Sequence, residues 1–485
     1  MIDLETRARR EAQRADFDVE FSDDEQRELA ALDENHLIAS STRDGSVRDL
    51  RELLWSSIDN ETSRDLDQVE VVQKLADNSI EVQIGIADVS AFIARDSPLD
   101  VQAARNTTSL YTGVQTFPML PRVLSEDATS LLANRDRLAV VVCYRVQPDG
   151  ALTDTRFFRA VVRNRAKLIY EEIGAWLRDT SSTRIAELES IGGLREQITL
   201  QHEAAQRLQR ARTASGALEL QTREATPVMK DGRVIDLRET EKNDARKIIE
   251  NFMVAANMAT AQWLQERGRS ALGRVVREPQ RWPRIREIAQ NVGDTLPIEA
   301  DARALSAFME RQRKSAPDAF AELSLAIVKL LGPGQYELIR PNDTSEHFGL
   351  AAARYTHSTA PNRRFSDLVM QRIVKAALED EAAPYSDAEL QTIATRCNEQ
   401  ESRAQKVERT MRKVAAASLF GDRIGQTFAS VVTGASAKGV WVRTVSPLVE
   451  GRVVRGESGL DVGDRVLVRL IHTDIERGFI DFERA

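Results

Sequence analysis

The stretch SSIDNETSRDLDQVEVVQKLADNSIEVQIGIADV (Ser56–Val89) joins two patterns that together decide the fold. Its first half is acid-rich. Asp59, Glu61, Asp65, Asp67 and Glu70 fall within Ser56–Val71, with Arg64 alone against them. Its second half is β. VEVVQKL and SIEVQIGIADV are rich in branched residues and flank Asp77-Asn78, a turn signal, so a hairpin is predicted. A carboxylate-rich loop therefore leads straight into a strand. By itself the loop reads either as a solvated acidic turn or as half of a metal site.

Working outward, RLAVVVCYRV (137–146) and LTDTRFFRAVV (152–162) flank Pro148-Asp149-Gly150 and predict a second hairpin. Residues 168–213 read mostly as helix. NDARKIIENFMVAANMATAQWLQERGR (243–269) is a long amphipathic helix, with Ile248, Ile249, Phe252, Met253, Ala256, Trp263 and Leu264 at helical spacing. LVMQRIVKAALED (368–380) predicts another, and Ser386 with Glu389 caps a third that runs to about Phe420. Before the acidic loop, SDDEQRELAALDE (22–34) reads as one helix with Ser22 and Glu25 as a capping box. The last sixty residues are short strands broken by Gly and Asp turns, the spacing of a five-stranded oligonucleotide-binding barrel. There is no internal repeat and no low-complexity tract.

Composition bounds the class. The 485 residues exceed one ordinary core, and 42% apolar with 29% charged residues is a soluble globular balance. The longest clean apolar runs, such as LAVVVCY (138–144), are far too short to span a bilayer. The N-terminus MIDLETRARREAQRADFDVEF has no signal-peptide core. Two distant cysteines, Cys143 and Cys397, argue against a disulfide framework and fit a reducing cytoplasm. Net charge is −8, yet Arg354–Lys375 holds Arg354, Arg363, Arg364, Arg372 and Lys375 against Asp367 alone. A polyanion would bind there.

Asp65 and Asp67 lie two apart and share one face of an extended segment. With Asp59 they make a set of carboxylates that would repel one another without a cation. A hard cation such as Mg²⁺, which takes oxygen ligands, removes that cost. Arg363-Arg364 supply the complement, because the planar guanidinium bonds two phosphate oxygens at once. Without a ligand, the same arginines read as an exposed basic helix start.

Four fragments in order, ID…RDLD, IADVSAFI…LD…A…R…TSLY…PMLPRVLS…SLL, IIENFMVAAN and YTHSTAPNRRFSDL, resemble the ribonuclease II (RNB-domain) family of 3′→5′ exoribonucleases. The likeness runs from about Leu53 to the C-terminus. It implies an α+β multidomain fold: a short, partly helical N-terminal segment (1–50), an RNB-type catalytic domain of β-sheets packed with helices (51–420) ending in a long helix, and a C-terminal S1-like OB-fold barrel (421–485). It implies that Asp59, Asp65 and Asp67 hold Mg²⁺, with Asp67 the position the family most depends on for cleavage. Tyr111 then stacks on the 3′-terminal base, Glu250 lies near the sugar, Arg363, with Arg364 beside it, contacts the scissile phosphate, and Glu408 modulates grip on the RNA. Read without the resemblance, Tyr111 is a strand-edge tyrosine, and Glu250 and Glu408 are solvated helix residues.

The departures are specific. Gln68 stands where most members have a fourth aspartate, so an amide oxygen replaces a charged metal ligand. GALELQ (216–221) replaces a segment that often carries a base-sandwiching phenylalanine. Gly85 and Val276 replace usual histidines, and Ala360 and Asn362 replace the usual Ser and Ile beside the arginines. Only about fifty residues precede the motif, too few for the cold-shock barrels of larger members, so a divergent subfamily without them is expected. Glu61 and Glu70 fall outside the expected site. Asp422–Ala485 holds nine basic and nine acidic residues, so the barrel is not an electrostatic clamp. Phe428 and Trp441 stand either as base platforms or as its core. The expectation is a monomeric, cytoplasmic, Mg²⁺-dependent enzyme that degrades single-stranded RNA to 5′-nucleoside monophosphates. The alternative is an inactive RNA-binding protein on the same fold.

Overall fold

The computed structural model describes all residues except 1, 2, 44, 181–183, 222, 223, 231, 232, 241, 280 and 344–346. The chain opens with α1 (Leu4–Arg14), α2 (Asp23–Ala30) and α3 (Glu34–Arg43). The capping box at Ser22 and Glu25 is formed and starts α2, as the sequence predicts, and α1 and α3 are additional to that one predicted helix. The strands β1 (Arg48–Asp49), β2 (Ser56–Asp59), β3 (Gln68–Lys74) and β4 (Ile80–Ala87) follow. Next come α4 (Pro98–Asn106) and a short hairpin of β5 (Leu110–Tyr111) and β6 (Thr116–Phe117).

β7 (Asp136–Val146), β8 (Leu152–Arg163) and β9 (Ala166–Ile169) complete a seven-stranded sheet of order β1-β8-β7-β4-β3-β2-β9. Both predicted hairpins, β3–β4 and β7–β8, lie at its centre and are antiparallel. Gly150 closes the second at φ +88, and a Cβ there would stand 2.2 Å from the Arg207 carbonyl, so only glycine fits. The region read as helix from 168 begins as strand instead, because Leu168 and Ile169 pair in parallel with Ile58 and Asp59.

Three helices, α5 (Tyr170–Arg178), α6 (Ala186–Ser190) and α7 (Leu194–Ser215), precede the hairpin of β10 (Glu224–Lys230) and β11 (Arg233–Thr240). The predicted long helix is α8 (Asp244–Glu266), capped by Asn243. One sheet face, lined by Ile80, Val82, Ile84, Ile86 and Tyr144, is covered by α5, α7 and α8. Full burial on that face explains why a β-branched apolar residue, Ile80, Val82, Ile84 and Ile86, recurs at every second position of β4.

The chain continues through β12 (Ala271–Val275), α9 (Trp282–Asn291), α10 (Ala302–Ser315), α11 (Pro317–Leu331) and β13 (Gln335–Ile339). Then come α12 (Phe365–Leu378) and α13 (Asp387–Phe420), the latter started by the predicted Ser386–Glu389 capping box. The second sheet face, with Val69, Val71, Leu138 and Val140, packs against α4, α12 and the start of α13.

The last strands, β14 (Thr427–Ser436), β15 (Gly439–Thr444), β16 (Glu450–Arg455), β17 (Arg465–Asp474) and β18 (Phe479–Arg484), close into the expected five-stranded barrel. Phe428 belongs to its core, ringed by Phe420 and Phe482, and is no base platform. Trp441 is half-buried across from Gly434. Among the described residues, no helix is long and apolar enough to cross a membrane.

Candidate active site

The acidic loop is fastened before any side chain is aimed. The Lys167 ammonium donates to the carbonyls of Glu61 (2.8 Å) and Ser63 (2.6 Å). Ser130 Oγ donates to the Arg64 carbonyl at 2.5 Å and accepts from the Leu66 N–H at 3.0 Å. The arginine segment is fixed in the same way. Fully buried Asp367 accepts from the backbone N–H groups of Thr359 and Ala360, both at 2.8 Å, and from Arg364 at 2.6 Å. The Arg363 carbonyl accepts from the Ser109 N–H at 3.0 Å, which docks this loop beside the strand that carries Tyr111.

Two rigid loops thus meet at Asp67. Its Oδ1 accepts from the Asn362 N–H at 3.1 Å and its Oδ2 from Arg363 Nε at 2.9 Å, across 296 positions of chain. Asp67 is 1% exposed, and burial pushes its carboxyl up to about 6. The Arg363 charge pulls that value down and the nearby Asp65 charge adds to it. Asp65 in turn accepts from the Tyr111 hydroxyl at 3.2 Å, and the Tyr111 N–H donates to Glu408 at 3.3 Å. Tyr111 is 41% exposed. Asp65, Asp67, Tyr111, Arg363 and Glu408 therefore form one constellation drawn from four segments.

Other expected residues stand apart. Asp59 accepts from the Asn60 N–H at 2.6 Å and from Ser63 Oγ at 2.8 Å, and bonds to neither Asp65 nor Asp67. Arg364 makes no fork with Arg363, because it is fastened to Asp367 and shapes the loop. Glu250, half-exposed, pairs with Lys242 at 3.8 Å and lines a cavity of about 150 Å³ with Arg212, Leu220 and Asn251. That cavity adjoins a second, of about 570 Å³, at Leu220 and Lys242. The second lies between α11, α13 and the barrel and is lined by Lys329, Arg409, Arg412, Lys413 and Arg443 against Glu450. Burial, with Arg409 and Lys329 nearby, holds the Lys413 ammonium below its ordinary range despite Glu450. Lys329, Arg409 and Arg412 form no ion pair with a described residue.

Glu70, set aside in the sequence, is fully buried with neither carboxyl oxygen hydrogen-bonded. Burial, and secondarily the Asp59 charge, lifts its carboxyl well above the usual range, so it is a neutral acid beside the loop. The signal was present: Glu70 sits in VEVV, where strand alternation between two buried faces leaves no solvent side.

Among the described residues, no three His, Cys, Asp or Glu side chains gather as a ready-made metal cage. The donors nonetheless suit a hard cation. Asp59, Asp65 and Asp67 offer only oxygen atoms, and Gln68, buried at the start of β3, makes no hydrogen bond through its amide among the described residues. Burial, and secondarily the Asp65 charge, raises the Asp67 carboxyl, and a bound dication would favour its charged form.

Comparison with known proteins settles the family. Residues 47–380 match the RNB domain and residues 426–485 the RNase II-type exonuclease C-terminal S1 domain. The chain belongs to the RNB family. Ribonuclease R of Escherichia coli is 28% identical over 94% of this RNB chain and 59% of its own length. Ribonuclease R 2 of Lactococcus lactis is 26% identical, over 96% and 73%. The RNB chain thus spans about three fifths of the E. coli relative. A solved structure of Mycoplasma genitalium RNase R in complex with ribose methylated single-stranded RNA has a TM-score of 0.88 at 21% identity, covering 100% of this chain and 78% of that one. Yeast Ssd1, described as a pseudonuclease, has a TM-score of 0.67 at 18% identity, covering 88% and 53%. Both likenesses are of fold.

Proposed function

We propose that the protein is a Mg²⁺-dependent hydrolytic 3′→5′ exoribonuclease that converts single-stranded RNA to 5′-nucleoside monophosphates, as a monomer in the cytoplasm. The observation that carries this reading is the buried Asp67 carboxylate paired with Arg363, with Tyr111 and Asp65 hydrogen-bonded beside it. The named relatives, called ribonuclease R, supply the reaction class. The two unpaired, buried cysteines fit a reducing compartment.

Asp59, Asp65, Asp67 and the Gln68 amide would hold Mg²⁺, which when bound lowers the pKa of a coordinated water and neutralises phosphate charge. The protein's own residues orient the substrate. Tyr111 offers its exposed ring to the last base, and its hydroxyl keeps Asp65 turned into the site. Arg363, anchored through Nε, has its outer guanidinium nitrogens free to face phosphoryl oxygens as charge builds there. The groove of Lys329, Arg409, Arg412 and Lys413 is where a phosphodiester backbone would run, because a polyanion relieves mutual repulsion among those cations. Glu250, beside the adjoining cavity, would meet a ribose hydroxyl.

The test is a 5′-labelled RNA incubated with Mg²⁺. A ladder shortening from the 3′ end, abolished by EDTA and by Asp67→Asn, is expected. Binding without shortening would establish the rival reading, an inactive RNA-binding protein. That rival draws on two specific features: Arg363 already closes on Asp67, and Gln68 brings no charge to the site.

A further inference from the structure

Residues 3–18 are bound to the candidate site through the neighbours of its two outer residues. Ala8 and Ala12 of α1 and Phe17 after it are buried in one cluster with Leu110, Phe117, Ala404, Val407 and Met411. Leu110 immediately precedes Tyr111 on β5, and Val407 immediately precedes Glu408 on α13. Burying Leu110 under α1 turns Tyr111 to the other side of its strand, toward Asp65. On α13, Gln400, Ala404, Val407 and Met411 recur at helical spacing and make one stripe. With that stripe covered by the N-terminal segment, Glu408 is left at its edge, where it reaches the Tyr111 N–H.

A polar clasp fixes the same segment. The Asn106 side chain accepts from the Asp18 N–H and donates to the Asp18 carbonyl, both at 2.9 Å. Gln400, fully buried, donates to the Asp16 carbonyl at 3.1 Å. The Asp16 carboxylate meets Arg403 at 2.9 Å, Arg396 at 3.3 Å and Arg105 at 3.5 Å. Asp16 thereby ties α4, α13 and the N-terminal segment at one point. Single exposed ion pairs contribute little, but three cations on one carboxylate, beside three partly buried side-chain to backbone bonds, define a register.

We propose that residues 3–18 are a brace that positions Tyr111 and Glu408, so that the N-terminal segment forms part of the RNA-binding site. This rests on the reading of Tyr111 and Glu408 as RNA contacts. Asp16, Ala12 and Asn106 are then positioning residues: they touch no ligand and act through the hairpin and α13.

The experiment uses the full chain and the dissociation constant for a 5′-fluorescein-labelled oligoadenylate in EDTA, at a temperature where circular dichroism shows each variant folded. Ala12→Arg, which forces a charge between α1 and α13, should weaken binding by about ten- to a hundredfold, the scale of losing one base–aromatic stack. It should also speed amide exchange across residues 108–118. Asp16→Ala should do the same more weakly, and keeps the test open if Ala12→Arg does not fold. In a Tyr111→Ala, Glu408→Ala background the brace substitutions should add almost nothing, because they act through the removed side chains. Unchanged affinity in a folded variant with faster exchange at 108–118 overturns the brace, as do losses that simply add. Should Tyr111→Ala, Glu408→Ala alone leave affinity intact, the reading of the site fails instead.

Discussion

Asp67 and Glu70 lie three residues apart at one strand, both fully sealed from solvent, and burial raises both carboxyl groups. Asp67 has a guanidinium and a backbone N–H as partners and is held to about 6. The Glu70 carboxyl has no hydrogen-bond partner among the described residues and an acidic neighbour, so its protonated form is favoured. Depth alone therefore does not make a functional carboxylate. The partner supplied from the arginine loop keeps Asp67 within reach of its charged form near neutral pH.

The largest effect should come from Asp67→Asn. Shortening of labelled RNA should vanish while the thermal midpoint stays near that of the parent, since a neutral amide suits the buried position. A folded, active Asp67→Asn variant would remove the basis for setting Asp67 apart from Glu70. Next is Arg363→Ala, which takes away the partner that distinguishes the two acids. Turnover should fall by about 10²- to 10³-fold, the scale of losing one preorganised charge donor. The thermal midpoint should also drop, because Asp67 is left buried without its cation. Arg363→Lys should recover little, as an ammonium cannot hold Asp67 and present a second pair of donors at once.

Glu70 provides the converse. A neutral acid in the fold that ionises when unfolded binds a proton more tightly in the native state. Its contribution is thus complete below the ordinary glutamate range and is lost as pH rises through the elevated native value. Glu70→Gln should flatten the fall of thermal midpoint with rising pH, measured in EDTA. Glu70→Leu should raise stability by about 1–3 kcal/mol by removing an unsatisfied buried polar group. Loss of stability in Glu70→Leu would mean that the carboxyl has a partner after all.

How much of this was legible depended on distance along the chain. Both capping boxes, both hairpins, α8, α13 and the closed barrel follow from signals a few residues wide, and the structure has them where the sequence put them. The Asp67–Arg363 pair spans 296 positions: charge complementarity suggests only that the two loops serve one phosphate, and a direct contact between them is not legible in the sequence. Glu70 is read outside the site, but its burial is not legible there, because an acid beside other acids looks solvated until both sheet faces are known to be covered. Phe428 stood between platform and core, and only barrel closure decided it. The brace was invisible for the same reason: Ala8 and Ala12 are unremarkable in a polar helix until α13 lies across them.

Gln68 carries the smallest and finest prediction. It follows Asp67 directly, is buried, and has an amide with no hydrogen-bond partner among the described residues. As a neutral oxygen donor it would complete a metal shell without adding charge, which leaves Mg²⁺ held by fewer charges than a four-aspartate site would offer. Gln68→Asp should therefore lower the Mg²⁺ concentration needed for half-maximal shortening of RNA, with little change in the rate at saturating metal. An unchanged Mg²⁺ requirement would place Gln68 on the Glu70 side of the comparison, as a buried polar group of the strand. A raised requirement with lower stability would say the same more strongly, because the new carboxylate would then share Glu70's uncompensated surroundings instead of the ion.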